Sequence, residues 1–365
     1  MRLVIPEKVR EKLSTIISLV VIVILIIALI YFFPFLTTSV PPNRSEWAYE
    51  VTQITELNDL GLKGEGVTIA IIDTGIDLKH PELRSVRLVA WRDLVNRELD
   101  PYDDDGHGTA IAGIIAGKTY GVAPKAGLIV VKAIPKDGGA SDTTLLSAMR
   151  YCIQEGADII SMSLGRYEFR VEDLTGPWQD SNLETVCNEA IEAGIFLVAA
   201  AGNDGGENDD GEVDVPGIHD KAISVGAVNE DLAMAGFSSE GENDGRIPNL
   251  IIDWDPWERH DPDKKPEVVA PGVKIVAPGL KHNYYKYDGT SLSVPFVSGA
   301  LGLILSELPQ YQHENNSGEA DITKVKEALM GTSTKIAGYD EVHSDKAGYG
   351  LLQAYDLYIE LKGIE

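Results

Sequence analysis

Short β-branched runs, spaced along most of the chain, limit its possible folds more than any other feature. Residues 67–72 (VTIAII) are apolar and too short for a helix, and 128–133, 159–163, 195–200 and 222–228 read the same way. Continuous apolar runs of this length suit strands covered on both faces. Stretches with helical spacing lie between them, at 107–116, 141–155 and 183–193. The alternation predicts an α/β fold, with a mostly parallel central sheet and helices on both faces. No internal repeat is visible. Residues 238–266 break the rhythm with an Asp-, Glu- and Pro-rich stretch holding Trp254 and Trp257. It reads as a surface insertion.

A second feature stands ahead of this body. Residues 13–33 (LSTIISLVVIVILIIALIYFF) carry no charge. At about 1.5 Å per residue they reach roughly 32 Å, enough for a hydrocarbon core of about 30 Å. The run is longer than a signal peptide's apolar region of about 7–15 residues, and no small-x-small cleavage site follows promptly. The sequence thus predicts one transmembrane helix at 13–33 after a cytoplasmic tail at 1–12. A tether at 34–46 and the folded body at 47–365 would follow. Arg2, Lys8, Arg10 and Lys12 precede the run, which favours a cytoplasmic N-terminus and a body outside the cytoplasm. That body is strongly acidic. Over the whole chain 57 acidic residues face 31 basic ones, a net charge of −26. Such a surface repels a phosphate backbone and argues against nucleic acid as a partner. Two cysteines, Cys152 and Cys187, exclude a disulfide framework and a Cys-based zinc site.

Three motifs carry chemistry. Asp73 ends the first strand in IIDTGID, which places a carboxylate at the crevice where α/β enzymes work. An aspartic protease would need a second Asp-Thr-Gly copy to share the proton, and none occurs. His107 opens a small-residue helical run in DDDGHGTAIAGIIAG. Alone it also reads as a hydrogen-bonded core histidine, and Asp103, Asp104 and Asp105 leave a metal site as another reading. Ser291, in YDGTSLSVPFVSGALGLILS, falls near a helix N-terminus, where free N–H groups can stabilise an oxyanion. Alone it also reads as an ordinary cap.

In this order and context, Asp73, His107 and Ser291 resemble the subtilisin-like serine proteases (subtilases, peptidase family S8). The matching motifs are DTGID, GHGTAIAG and GTSLSVP, joined by AAAGND around Asn203. SMSLG, VAPGV and GYGLLQA are minor matches, and the resemblance spans about 47–358. It implies a subtilisin-like fold and a serine endopeptidase acting on proteins or peptides. Ser291 would be the nucleophile, His107 the base, Asp73 its orienting partner and Asn203 an oxyanion donor. Ser163, Leu164 and Gly165, with Ala200, Ala201 and Gly202, would flank the substrate. The Ala and Gly residues among them suggest room for a sizeable apolar side chain. The alternative function is a catalytically inactive binding module of the same family. Such a module usually lacks a triad residue, and here all are present.

The sequence departs from that family in three ways. Only the tether separates residue 33 from Trp47, so no folding pro-domain is expected. The helix after His107 runs on through AGIIAGKTYGVAP without the loop that builds the family's tight calcium site. Glu82 stands where an Asp ligand is usual, so that site is expected to be absent. No cofactor is required; calcium remains a candidate for the acidic loop at 204–220, whose carboxylates could supply oxygen ligands. Phe296 replaces a frequent histidine as a packing change.

Overall fold

A computed structural model describes residues 19–23, 42–165, 181–206, 212–243, 258–315 and 317–363. The chain divides into two units, residues 1–42 and 43–365. In the first, 19–23 is helical with exposed side chains; the rest of the predicted membrane segment lies outside the described residues. The second unit carries everything discussed below.

Its centre is a seven-stranded sheet of β1 (Thr68–Asp73), β2 (Arg87–Asp93), β3 (Gly127–Lys132), β4 (Ile159–Met162), β5 (Phe196–Ala200), β6 (Ile223–Val228) and β7 (Val268–Pro271). The spatial order is β2-β3-β1-β4-β5-β6-β7, and every pairing is parallel. Strands β3 to β7 are buried along nearly their whole length. Only an apolar run tolerates that, because both faces are covered. Edge strand β2 is different: it alternates exposed and half-buried residues, with a register shift between Leu88 and Ala90. A small antiparallel pair, β8 (Ile275–Pro278) and β9 (Tyr284–Tyr287), completes the strands.

Two short helices, α1 (Glu46–Val51) and α2 (Ile54–Asp59), open the unit. Helices α3 (His107–Ala116) and α6 (Val294–Glu307) pack on each other, α3 also against β1 and α6 against β1, β4 and β5. A second pair, α4 (Asp142–Gln154) and α5 (Ser181–Glu192), packs together, α4 also on β1 and β3 and α5 on β5. Ser141 starts α4 by accepting a hydrogen bond from Thr144 N, with Asp142 in the first turn beside the helix's positive end. Helix α6 starts with Pro295 in its first turn, where a missing N–H costs nothing. Its residues from Val294 to Leu305 are all buried. The stretch 290–307 is long and apolar enough to cross a membrane, but 83% of it is buried inside the protein. It is a core helix. Helices α7 (Glu319–Thr332) and α8 (Ala354–Lys362) close the unit.

The polar stretch 238–266 is not wholly superficial. Residues 244–257, with both tryptophans, lie outside the described residues, but Ser238, Ser239 and Lys265 are fully buried. Lys265 Nζ donates to His219 O (2.7 Å), Ala222 O (2.8 Å) and Glu267 Oε1 (2.7 Å). Hydrogen bonding of this completeness is what lets an ammonium group sit inside a protein. Cys152 and Cys187 are free thiols, both buried. Phe296 is buried with its ring edge-on to Tyr49, at 5.3 Å between centroids.

Candidate active site

Asp73 is the last residue of β1, so its carboxylate emerges at the carboxyl end of the sheet. It is fully buried, and Thr74 N donates to its Oδ1 at 2.7 Å. His107, the first residue of α3, brings its Nδ1 to 2.8 Å from Asp73 Oδ1 and 3.0 Å from Oδ2. The loop after β1 and the start of α3 touch closely enough that a Cβ on Gly108 would lie 2.2 Å from the Gly75 carbonyl oxygen. Only glycine permits that approach.

Asp103 anchors this junction. Its two oxygens accept from the N–H groups of Asp105, Gly106 and Thr109 and from the hydroxyls of Thr74 and Thr109. Asp104 pairs with the buried Lys132 at 2.6 Å, and Asp105 Oδ1 accepts from His107 N at 3.0 Å. Asp103 and Asp105 therefore accept from N–H groups at the start of α3, and Asp104 neutralises Lys132. Among the described residues, no group of three His, Cys, Asp or Glu side chains converges as a metal site.

Histidine 107 feels two opposed influences. Burial lowers its pKa, and the charge and hydrogen bond of Asp73, with Asp105 and Asp103 behind, raise it. The net effect is upward from 6.5.

Ser291 sits in a one-turn 3₁₀ segment, Thr290–Leu292, that leads into α6. The preceding Gly289 has φ 146°, which a side chain would resist. Helix α3 contacts this turn. Ser291 Oγ donates to Ser163 O at 3.1 Å, and Ser163 Oγ donates back to Ser291 O at 2.9 Å. No hydrogen bond joins His107 to Ser291 among the described residues.

Asn203 follows β5 and reaches the same turn. Its Oδ1 accepts from Thr290 N at 2.9 Å and Thr290 Oγ1 at 3.1 Å. A backbone N–H can only donate, so the atom facing it is the amide oxygen and the NH₂ end is turned away.

Asn203 and Ser291 line one cavity of about 270 Å³, with Ser163, Leu164, Gly165, Ala200 and Gly202 in its walls. Ala201 does not line it: its side chain is fully buried, and its carbonyl accepts from Asp214 N. Thr290, Lys132 and Asp214 escaped the sequence reading. Thr290 lies inside the GTS motif, where only its neighbours drew notice. Asp214 belongs to the acidic loop and lines the cavity wall.

In both regions considered for calcium, described carboxylates bond to protein groups. Glu82 is buried, and its carboxylate accepts from Thr119 N (2.6 Å), Tyr120 N (3.3 Å) and Tyr284 OH (3.4 Å). It braces the turn after α3 directly, which does not fit a metal ligand. In the loop 204–220, residues 207–211 lie outside the described residues; Asp204 accepts from Ser239, and Glu212 pairs with Arg259 at 2.8 Å.

Residues 64–350 match the subtilase family, most of the chain. The chain belongs to the subtilase family. It is 33% identical to a subtilisin of Bacillus pumilus over 296 residues, covering 79% of this chain and 92% of that one. Subtilisin E of Bacillus subtilis (strain 168) is equally similar over 296 residues, and the chain spans 66% of its length. Among solved structures, the prenylagaramide maturation protease PagA superposes with a TM-score of 0.65 at 25% identity. That match covers 85% of this chain and 98% of that one. The parallel-sheet architecture of this subtilase is thus the subtilisin-like fold.

Proposed function

We propose that this subtilase is a serine endopeptidase that cleaves protein or peptide substrates through an acyl-enzyme. The observation that carries the reading is the 2.8 Å Asp73–His107 contact, set beside the turn that presents Ser291. With Nδ1 held by Asp73, the imidazole has Nε2 left to accept a proton. In the resting arrangement the Ser291 hydroxyl donates to Ser163 O, and it turns to His107 when substrate binds; such bonds often form only in the loaded complex.

Ser291 Oγ then attacks the peptide carbonyl carbon as its proton passes to His107 Nε2. Asp73 stabilises the imidazolium. The tetrahedral oxyanion accepts from Asn203 Nδ2 and from the Ser291 N–H, which has no protein acceptor among the described residues. The carbon–nitrogen bond breaks as His107 returns the proton to the leaving amine. Water, activated by the same histidine, hydrolyses the ester and frees Ser291. The substrate backbone lies along Ser163, Leu164 and Gly165 as an added strand, with Ala200, Ala201 and Gly202 behind it.

The reaction draws only on these groups and water, so chelation should leave cleavage unchanged. The uncharged run 13–33 supports a membrane anchor with its N-terminus in the cytoplasm and the peptidase unit outside. Serine-directed phosphonyl reagents test the central assignment. The adduct should map to Ser291 by peptide mass analysis. Labelling at another serine, or none, would count against it.

A further inference from the structure

One buried cation stands beside the Asp73–His107 pair with no part in the chemistry described above. Lys132 ends β3, in register with Asp73 on the neighbouring strand β1, and its side chain is fully buried. Its ammonium donates to Thr74 O at 2.6 Å, Asp104 Oδ1 at 2.6 Å and Ile134 O at 3.2 Å, which uses all three N–H groups. The Tyr102 ring centroid lies 5.1 Å from its Nζ. Burying an ammonium is costly even when it is hydrogen-bonded, and an apolar side chain of the same length would fill the position without that cost. Packing alone does not account for a lysine here.

Two of the three bonds reach the two halves of the Asp73–His107 contact. Thr74 directly follows Asp73, and its N–H donates to Asp73 Oδ1 at 2.7 Å. The Thr74 hydroxyl donates to Asp103 Oδ1 and accepts from Gly108 N, the residue after His107. Asp104 lies three residues before His107, in the loop that leads into α3. The ammonium thus ties the strand end that carries the carboxylate to the loop that carries the imidazole.

We propose that Lys132 is a positioning residue: by joining Thr74 O to Asp104 it holds Asp73 and His107 in the alignment that proton transfer from Ser291 requires. The inference rests on the endopeptidase reading above. Lys132 acts through other residues and not on the substrate, so its loss should slow the chemical steps and leave substrate binding alone. A displacement of about 1 Å at such a contact costs up to about 100-fold in rate.

The test is steady-state cleavage of a fluorogenic peptide by the full chain, with enzyme counted by titration with a phosphonyl reagent. Lys132→Met keeps the length of the side chain and removes the ammonium. It should lower kcat per titrated site by about 10–100-fold with KM within about 3-fold. Asp104→Ala, at a partly exposed position, should lower kcat by about 3–10-fold in the same pattern. In an Asp73→Asn background Lys132→Met should cost less than about 3-fold, because the contact it aligns is already lost. A lysine that served stability alone would change the amount of titratable enzyme and leave kcat per site as it was. Unchanged kcat per site in either single variant overturns the proposal and leaves the endopeptidase reading standing. So does a loss that appears in KM instead, or one of full size in the Asp73→Asn background. Wild type that neither titrates nor cleaves any peptide overturns both. If Lys132→Met fails to fold, Asp104→Ala decides.

Discussion

Thr290 fixes the amide of Asn203: its N–H and its hydroxyl both donate to Asn203 Oδ1, at 2.9 and 3.1 Å. The same hydroxyl lies 3.3 Å from Gly202 N and 3.1 Å from Gly202 O, and Thr290 is fully buried. A residue next to Ser291 therefore sets the direction of the Asn203 amide, the oxyanion donor of the proposed mechanism. Asn203→Ala should lower kcat by about 100–1000-fold with KM nearly unchanged, because its amide acts mainly once the oxyanion forms. Thr290→Val keeps the shape and the N–H but loses the hydroxyl. It should lower kcat by about 3–10-fold, the worth of one neutral hydrogen bond. In an Asn203→Ala background Thr290→Val should then cost little, which steady-state kinetics of the double variant would check.

The Asp73–His107 contact makes a prediction about pH. Burial lowers the imidazole, but Asp73 and the acids behind it raise it more, so it protonates above 6.5. As the proposed base, His107 works only when neutral. Activity should therefore fall as pH drops through that raised value, with the acid limb of kcat/KM lying above 6.5. Asp73→Asn removes the charge, so the limb should move to lower pH while kcat drops by about 10⁴-fold. An acid limb that stays in place would separate the titration from His107.

Away from the site, a buried charge cluster governs stability. Glu267 Oε1 lies 2.7 Å from both Lys265 Nζ and Lys326 Nζ, and all three side chains are at most 1% exposed. Glu267→Gln would take the carboxylate partner from buried Lys265 and leave Lys326 with the Asp263 carboxylate at 3.2 Å, and should cost about 3–5 kcal/mol in urea unfolding. Burial holds Lys265 down to about 8, against 10.5 for a free lysine. Between those values the unfolded chain binds more protons, so this lysine makes stability rise with pH across that window. Lys265→Met should flatten that rise.

The elements that sequence reading found share one physical property. Strands such as β3 and β5 are buried along their length, so composition alone marks them, and their observed bounds differ by a residue or so. Strand β2 (RLVAWRD) sits at the sheet edge with half its surface in water and looks like a loop. The burial of Lys265 and Lys326 was illegible because, apart from Glu267 beside Lys265, their partners come from segments far away in the chain. Asp73, His107, Ser291 and Asn203 stand in compact local motifs. Asp214 meets Gly165 and Gly202 only through the folding of three loops, and no local pattern announces that meeting.

Replacing Ser291, the proposed nucleophile, tests the account most directly. Ser291 is only partly buried, so Ser291→Ala removes one hydroxyl and should leave the fold intact by circular dichroism and thermal midpoint. Turnover of a peptide substrate should fall by about 10⁶-fold, His107→Ala should do comparable damage, and the double variant should add little because the two act as a unit. Cleavage retained by purified Ser291→Ala protein, free of contaminating protease, would contradict the account.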